Sequence, residues 1–347
     1  MKKNKNYLWT IAAIIIAIIS IWAVSSQIKN LSFSDFIEHI RSANPLWLGV
    51  SILCMLGFIF FEGHALFTIL NGFDYRRRLG KGLLYSAADI YFSAITPSAT
   101  GGQPASALFM VRDGIPAGIA TVTLMLNLVL YTLSIMVLGI IALIAKPFLF
   151  AHFNAFSKFL IILGYLVLGG LCIFIFALIR NGQIVRRLCD NFAVLLGRFH
   201  LIKDTSRIKE KITKTMADYE QCARLIEGRK LMVARSFIYN LLQRFLLLCV
   251  PACVYLATGG SPAGAVNVWA IQVFVTMGSN YVPIPGAMGV IDYLMLDGYA
   301  DMMPTDVAAN MDILSRSISF YICILICGIF VLIGHIIYRR REEKRDS

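Results

Sequence analysis

The sequence predicts an all-α polytopic membrane protein with six full spans and two Gly/Pro-broken re-entrant hairpins arranged as an inverted repeat. Three observations predict it. The 347 residues are 58% hydrophobic and only 15% charged, with a mean hydropathy of +0.72, whereas a soluble domain carries about 25% charged residues. The abundance of Ile, Leu and Phe also excludes disorder. The apolar residues gather into runs of roughly 18 or more, the length that crosses a hydrocarbon core about 30 Å thick. Two further runs are interrupted near the middle by Pro and Gly.

The first span, 7–24, follows Lys2, Lys3 and Lys5. Ala23 and Ser25 offer a weak small-x-small cleavage site, but the run exceeds a usual signal-peptide core and more spans follow, so an uncleaved signal anchor is expected. Full-length spans follow at 46–70, 116–145, 158–179, 232–257 and 314–338. The broken stretches are 83–111 and 265–299. The first contains Pro97, Gly101, Gly102 and Pro104 around Gln103, the second Pro283, Pro285, Gly286 and Gly289. Pro removes a backbone donor and Gly weakens a helix interior, so neither stretch reads as one continuous helix.

Charge fixes the sidedness. Of the 32 Lys and Arg residues, 24 fall in four places: 3 at the N-terminus, 4 in 76–81, 12 in 180–230 and 5 in 339–345. The positive-inside rule puts all four in the cytoplasm. Two full spans lie between 81 and 180 and already return the chain inside, so the first broken stretch enters and leaves from the cytoplasm. The same parity makes the second enter and leave from outside, which suits Asp297, Asp301, Asp306 and Asp312 near its outer end. The order span, span, hairpin, span then repeats upside down, as in many secondary transporters whose sites lie where broken helices meet. The competing reading divides each hairpin into two short spans, giving ten crossings with the same termini inside.

The chain therefore reads as a single membrane domain over 1–347, with half one at 1–146 and half two at 147–338. Within half two, 180–230 carries two amphipathic stripes, expected as cytoplasmic helices on an anionic leaflet, and 339–347 is a basic tail. The segment 180–230 is too small for a catalytic domain.

Charges at bilayer depth cost at least about 2.5 to 3.5 kcal/mol on insertion scales and are functional candidates. They are Glu62 and His64 in span two, Asp89 and Arg112 in hairpin one, Arg235 and Arg244 in span five, Asp292 after the second breaker, and Arg316. Arg244 lies about 18 Å into its helix, too deep to snorkel easily. It either faces a cavity and binds an anionic lipid phosphate or pairs permanently with Asp89, Glu62 or Asp292. Arg235 and Arg316 read as interface anchors. Gln103 and Asp292 each follow a breaker, where unpaired helix-end groups can hold a polar head; Gln103 can equally tie down its own loop. His64 either titrates as a switch or makes one interhelical hydrogen bond. Asp113, before Gly114 and Pro116, reads as a cap.

There is no P-loop, GxSxG or HExxH motif, so direct drive by ATP is not expected. Nor is there a CxxC or Cys/His metal spacing among the eight cysteines; no catalytic residue, metal or cofactor is assigned. Cys249/Cys253 and Cys323/Cys327 read as small packing residues.

Residues 95–104 (ITPSATGGQP), continuing through Arg112-Asp113-Gly114-Ile115-Pro116, resemble the first signature of the flippase-like transmembrane region of lysylphosphatidylglycerol synthases, the multiple peptide resistance factors. Residues 282–292 (VPIPGAMGVID) resemble the second. The resemblance spans nearly the whole chain, with Ala287 where relatives often have Gly and Asp292 where many have Glu. It implies phospholipid translocation in a bacterial plasma membrane, with both termini cytoplasmic, of an anionic or aminoacylated lipid such as lysylphosphatidylglycerol. Moving that lipid outward lowers negative surface charge and so confers resistance to cationic peptides. On this reading the head sits between the hairpin tips, with Arg244 and Arg112 near the phosphate and Asp292 or Asp89 near any ammonium group. The family name implies an alternative, an aminoacyltransferase moving lysine from lysyl-tRNA to phosphatidylglycerol, although nothing in these residues resembles the family's acyltransferase domain. Only that alternative brings in nucleic acid. A third reading is a transporter of another solute or lipid-linked precursor. Phospholipid and membrane are the expected partners, and a homo-oligomer is compatible with the pattern.

Overall fold

The computed structural model describes residues 43–96, 101–180, 226, 228–282 and 289–346. Span one at 7–24, the amphipathic stripes within 181–225, and the breakers Pro97, Pro283, Pro285 and Gly286 lie outside the described residues. The described residues form helices: α1 Pro45–Gly72, α2 Leu79–Ile95, α3 Gly102–Arg112, α4 Ala117–Ala145, α5 Pro147–His152, α6 Ala155–Arg180, α7 Lys230–Ala257, α8 Pro262–Ser279, α9 Val290–Tyr299 and α10 Thr305–Arg316. A π-helical turn, Ser317–Ile322, joins α10 to α11, Cys323–Asp346.

Five stretches among the described residues are long and apolar enough to cross a membrane: Pro45–Gly72, Ala117–Ala145, Ala155–Ala177, Lys230–Ala257 and Thr305–Tyr338. Their starts and stops follow local chemistry. Asn44 caps α1, its side chain accepting from the amide of Leu46, with Pro45 in the first turn, where its missing N–H costs nothing. Ser261 and Pro262 start α8 in the same way. Pro251 sits inside α7 and leaves one backbone carbonyl of the preceding turn without its usual donor.

The two interrupted stretches each become a long arm and a short arm. The long arms have 17 and 18 residues and the short ones 11 and 10. At the standard rise, α3 and α9 are only about 15 to 17 Å long, about half of a hydrocarbon core. The last span starts earlier than its apolar run. Helix begins at Thr305 rather than near 314, because Asp306, Asp312 and Arg316 mask the first three turns from a hydropathy reading.

The two halves pack by the same scheme. In the first, α1 contacts α2, α2 contacts α3, α3 contacts α4, and α4 returns to α1; in the second, α7, α8, α9 and α10 do likewise. Across the halves α1 packs along α7 in the most extensive interface among the described residues, α2 meets α11, and α4 meets α8. Buried apolar side chains such as Met55, Ile135, Leu248, Ile271 and Phe274 fill one core, and Leu66, Leu70, Met110 and Leu126 a second. Phe156, Phe159, Ile162, Leu166 and Ile173 on α6 are exposed, the inverse of a soluble surface and what contact with lipid requires.

Candidate functional site

A buried polar cluster lies where α1, α2, α4 and α7 come together, against the tips of both interrupted pairs. Its centre is Arg244 on α7. The guanidinium carbon stands 3.7 Å from the centroid of the Tyr131 ring on α4 and 5.5 Å from that of Phe58 on α1. A cation over a half-buried ring gains about 1 kcal/mol. Among the described residues no carboxylate lies within 4.0 Å of it, and its Nε is buried without a hydrogen-bond partner. Glu62 on α1 and Asp89 on α2 are its electrostatic neighbours and each other's. Both are buried, 7% and 8% exposed, and Oε2 of Glu62 has no hydrogen-bond partner among the described residues.

The tip of the first pair closes on Asp89. Gln103 Nε2, one residue into α3, donates to Asp89 Oδ2 at 3.1 Å, and Ser93 Oγ donates to Oδ1 at 3.3 Å. Thr96 accepts from the Gly101 amide at 2.9 Å, which turns the chain into α3. The tip of the second pair reaches the cluster through Asn280, the residue that ends α8, whose Oδ1 lies 3.4 Å from the Tyr131 hydroxyl. Beside Arg244, Gln243 donates to Asn240 at 3.2 Å and Asn240 donates to Asn127 of α4 at 3.0 Å. All three are buried, and Oε1 of Gln243 has no partner among the described residues.

The sequence-predicted residues divide accordingly. Arg244, Glu62, Asp89 and Gln103 come together. His64 is two residues along α1 from Glu62 but is held among the rings of Phe60, Phe67 and Tyr239. Arg112 is exposed at the far end of α3, about 14 Å along the helix from Gln103. Asp292 belongs to another cluster: it bonds Arg316, which also pairs with Asp312 at 3.1 Å, and its Oδ2 accepts from the amide of Gly289, which has φ +78. A side chain rarely adopts that φ, so this breaker is a conformational requirement of the α9 start. Arg316 is thus an internal tie rather than an interface anchor.

Asp113 does not cap α4, whose N-cap position is Pro116 with no side-chain cap bond; it stands at the C-cap of α3, and its carboxylate is taken up by other partners. In the turn between α3 and α4 it accepts from Lys81 at 2.7 Å and from the hydroxyls of Tyr85 and Tyr338 at 2.5 Å each, while its carbonyl accepts from Arg77 at 2.8 Å. Burial pulls its carboxyl up, but these donors outweigh burial and hold it below the usual carboxylate range. The result ties the base of the first pair to α11.

The neutral members Asn127, Tyr131, Asn240, Gln243 and Asn280 carry no charge to mark them in an apolar span, and the sequence reading did not include them. A signal existed: Ser236, Asn240, Gln243 and Arg244 recur at helical spacing along one face of an otherwise apolar span. Among the described residues no three His, Cys, Asp or Glu side chains gather as a metal site requires.

Spanning helices of this length and hydropathy, enclosing a buried polar centre between interrupted arms, define a multi-pass helical membrane protein with a polar site inside its bundle. The family model of the lysylphosphatidylglycerol synthase transmembrane region matches residues 9–327. The chain belongs to that family, whose name links it to lysylphosphatidylglycerol. No curated protein matches it.

Proposed function

We propose that the chain translocates a phospholipid with an anionic or aminoacylated head, such as lysylphosphatidylglycerol, across a bacterial plasma membrane. The observation that carries the reading is the Arg244 guanidinium, stacked on Tyr131 with an orphaned N–H and no carboxylate in direct contact, beside two buried carboxyls. Arg244 is half-buried and its Nε is fully buried, so an N–H without an acceptor there is costly and a lipid phosphate relieves it; Glu62 and Asp89 offer acceptors to an ammonium group on the same head. Arg112 and Asp292 take no part at this site.

The reading treats α2–α3 and α8–α9 as re-entrant hairpins of opposite sidedness in an inverted repeat, with the termini cytoplasmic. The short α3 and α9 and the shared packing scheme of the halves support it. Outward movement of a lysylated lipid makes the cell surface less negative and lowers the affinity of cationic peptides for it.

The test is Arg244→Ala in a host that makes lysylphosphatidylglycerol. The variant should insert normally and expose at least tenfold less of the lipid to an amine reagent that cannot cross the membrane. Wild-type exposure would refute the site. The family's name favours a second reading, lysyl transfer to phosphatidylglycerol. A host without aminoacylated lipids separates the two, because a new ninhydrin-positive phospholipid appears only if the chain is a transferase.

A further inference from the structure

The central cluster carries an unequal number of charges. Arg244 is always protonated. Glu62 and Asp89 are both nine-tenths buried and share this one guanidinium. With both carboxyls ionised the site bears a net charge of minus one in a bundle core that tolerates no uncompensated charge.

Among the described residues, the other groups around Glu62 do not supply the missing positive charge. From α2 it is faced by Asp89, from α7 by Arg244 and from α11 by Cys327. α4 contributes Tyr131, stacked on Arg244. Tyr321 of the π turn has Arg316, Asp312 and Asp292 as its electrostatic neighbours. On its own helix, His64 sits among aromatic rings, which include Tyr239 of α7. Around Asp89, α3 brings the neutral Gln103 and carries its cation, Arg112, at its exposed far end. What neutralises the site must therefore arrive as a proton or as part of the cargo.

We propose that Glu62, with Asp89, exchanges one proton for the excess positive charge of the bound lipid head, so that translocation is coupled to a transmembrane proton gradient. The inference rests on the lipid-translocation reading above. A head with one phosphate and two ammonium groups carries plus one and neutralises the site with both carboxyls ionised. When that head leaves, one proton from the same side binds a carboxyl oxygen and restores neutrality for the return. When a new head binds, the proton is released to the side from which the head came. One positive charge moves each way, so the cycle is electroneutral: it responds to a pH difference and not to a membrane potential.

The same count makes coupling depend on head charge. A zwitterionic head, net zero, leaves one proton on the site whether loaded or empty, and its distribution ignores the gradient. A head of net minus one needs two protons when loaded and one when empty, so it moves together with a proton and collects on the opposite side.

The experiment uses the full chain in phosphatidylcholine vesicles with a trace of lysylphosphatidylglycerol at about pH 6.5, where both of its amines are charged. An impermeant amine reagent reads the outer-leaflet fraction after a pH step of one unit. With one proton exchanged per lipid, the ratio between leaflets should shift about tenfold toward the acidic side, and a potassium-diffusion potential should leave it unchanged. The ratio is an equilibrium quantity, so the orientation of the protein in the vesicle does not matter. Labelled phosphatidylglycerol should shift the opposite way, and Glu62→Gln should lose the gradient response. Lipid that equilibrates between leaflets regardless of pH overturns the coupling and leaves translocation standing. Lipid that never changes leaflet overturns both. A tenfold response retained by Glu62→Gln overturns the assignment to Glu62. If that variant does not fold, the sign reversal between the two lipids in the wild type decides.

Discussion

Gly102 is the tightest point of the first interrupted pair, and Gly102→Ala tests whether the Asp89 site depends on it. A Cβ at this position would lie 2.0 Å from Ser93 Oγ, 2.1 Å from Asp89 Oδ1 and 2.5 Å from the Asp89 carbonyl oxygen. The first two atoms end side chains and can turn away. The third is backbone, and ordinary contact begins at 3.4 Å, so α2 and α3 must part by about 1 Å. Overpacking of this kind costs about 1 to 3 kcal/mol. The same movement stretches the 3.1 Å bond from Gln103 to Asp89 beyond hydrogen-bonding range, and a bond to a charged acceptor adds about 1.5 to 3 kcal/mol. A net loss of about 3 kcal/mol is expected. Gly80, in the first turn of α2 with nothing within 4 Å, is the control; Ala there should be neutral or slightly stabilising. Thermal unfolding of the purified variants in detergent measures the first effect, and the outer-leaflet amine assay the second. Gly102→Ala should melt several degrees below Gly80→Ala and expose less lipid. Equal melting and equal exposure would refute the close approach as a determinant of the site.

Two further expectations follow from packing and charge. Gly164→Ala on α6 should be more damaging than Gly170→Ala on the same helix, because a Cβ at 164 falls 1.9 Å from the Met277 carbonyl oxygen of α8 while 170 faces open space; unfolding midpoints of the pair check this. Asp113→Asn should cost about 2 kcal/mol at neutral pH by weakening a charged acceptor shared by Lys81, Tyr85 and Tyr338. Because the folded carboxyl titrates below its unfolded value near 3.9, that stability is complete above about pH 5 and is lost only as pH falls through the lower folded value. A wild-type advantage over Asp113→Asn that is constant from pH 5 to 8 and shrinks in acid is the expected profile; one that shrinks between pH 6 and 7 would contradict it.

The spans were legible because membrane crossing is a one-dimensional constraint. A run expected at 46–70 is helix from 45 to 72, and one expected at 232–257 is helix from 230 to 257. The interruptions were legible for a local reason as well, since Pro and Gly act on their own turn: α2 ends at Ile95 and α3 starts at Gly102, bracketing the Pro97–Gly101 breaker. Pairing was not legible. That Asp292 meets Arg316 rather than Arg244, and that Asp113 gathers donors from α2 and α11, depend on contacts between positions 24 to 225 residues apart. The neutral polar residues around Arg244 were hidden for another reason. A single Asn or Tyr barely changes the hydropathy of a span, and its meaning appears only when a second helix brings a partner to it.

Two clusters in the bundle have the same charge count and opposite arrangements, and the difference identifies which one is free to act on a ligand. Arg316 has Asp292 and Asp312 in direct contact, with the Gly289 amide completing Asp292. Its bonds are spent on joining the start of α9 to α10 just before the π turn, an irregularity common at functional sites. Arg244 has its two carboxylates at electrostatic range only, a ring face beneath it and an unmet N–H. A protein stabilised for its own sake would close that gap, as it closes the one at Arg316, because a buried N–H without an acceptor costs about 1 to 3 kcal/mol. Left open, the N–H stays available to an anionic oxygen, provided the two neighbouring carboxyls are neutralised by protons or by the same head's ammonium groups. Arg316 therefore holds the second tip in place, and the proposed translocation puts the lipid phosphate at Arg244 instead.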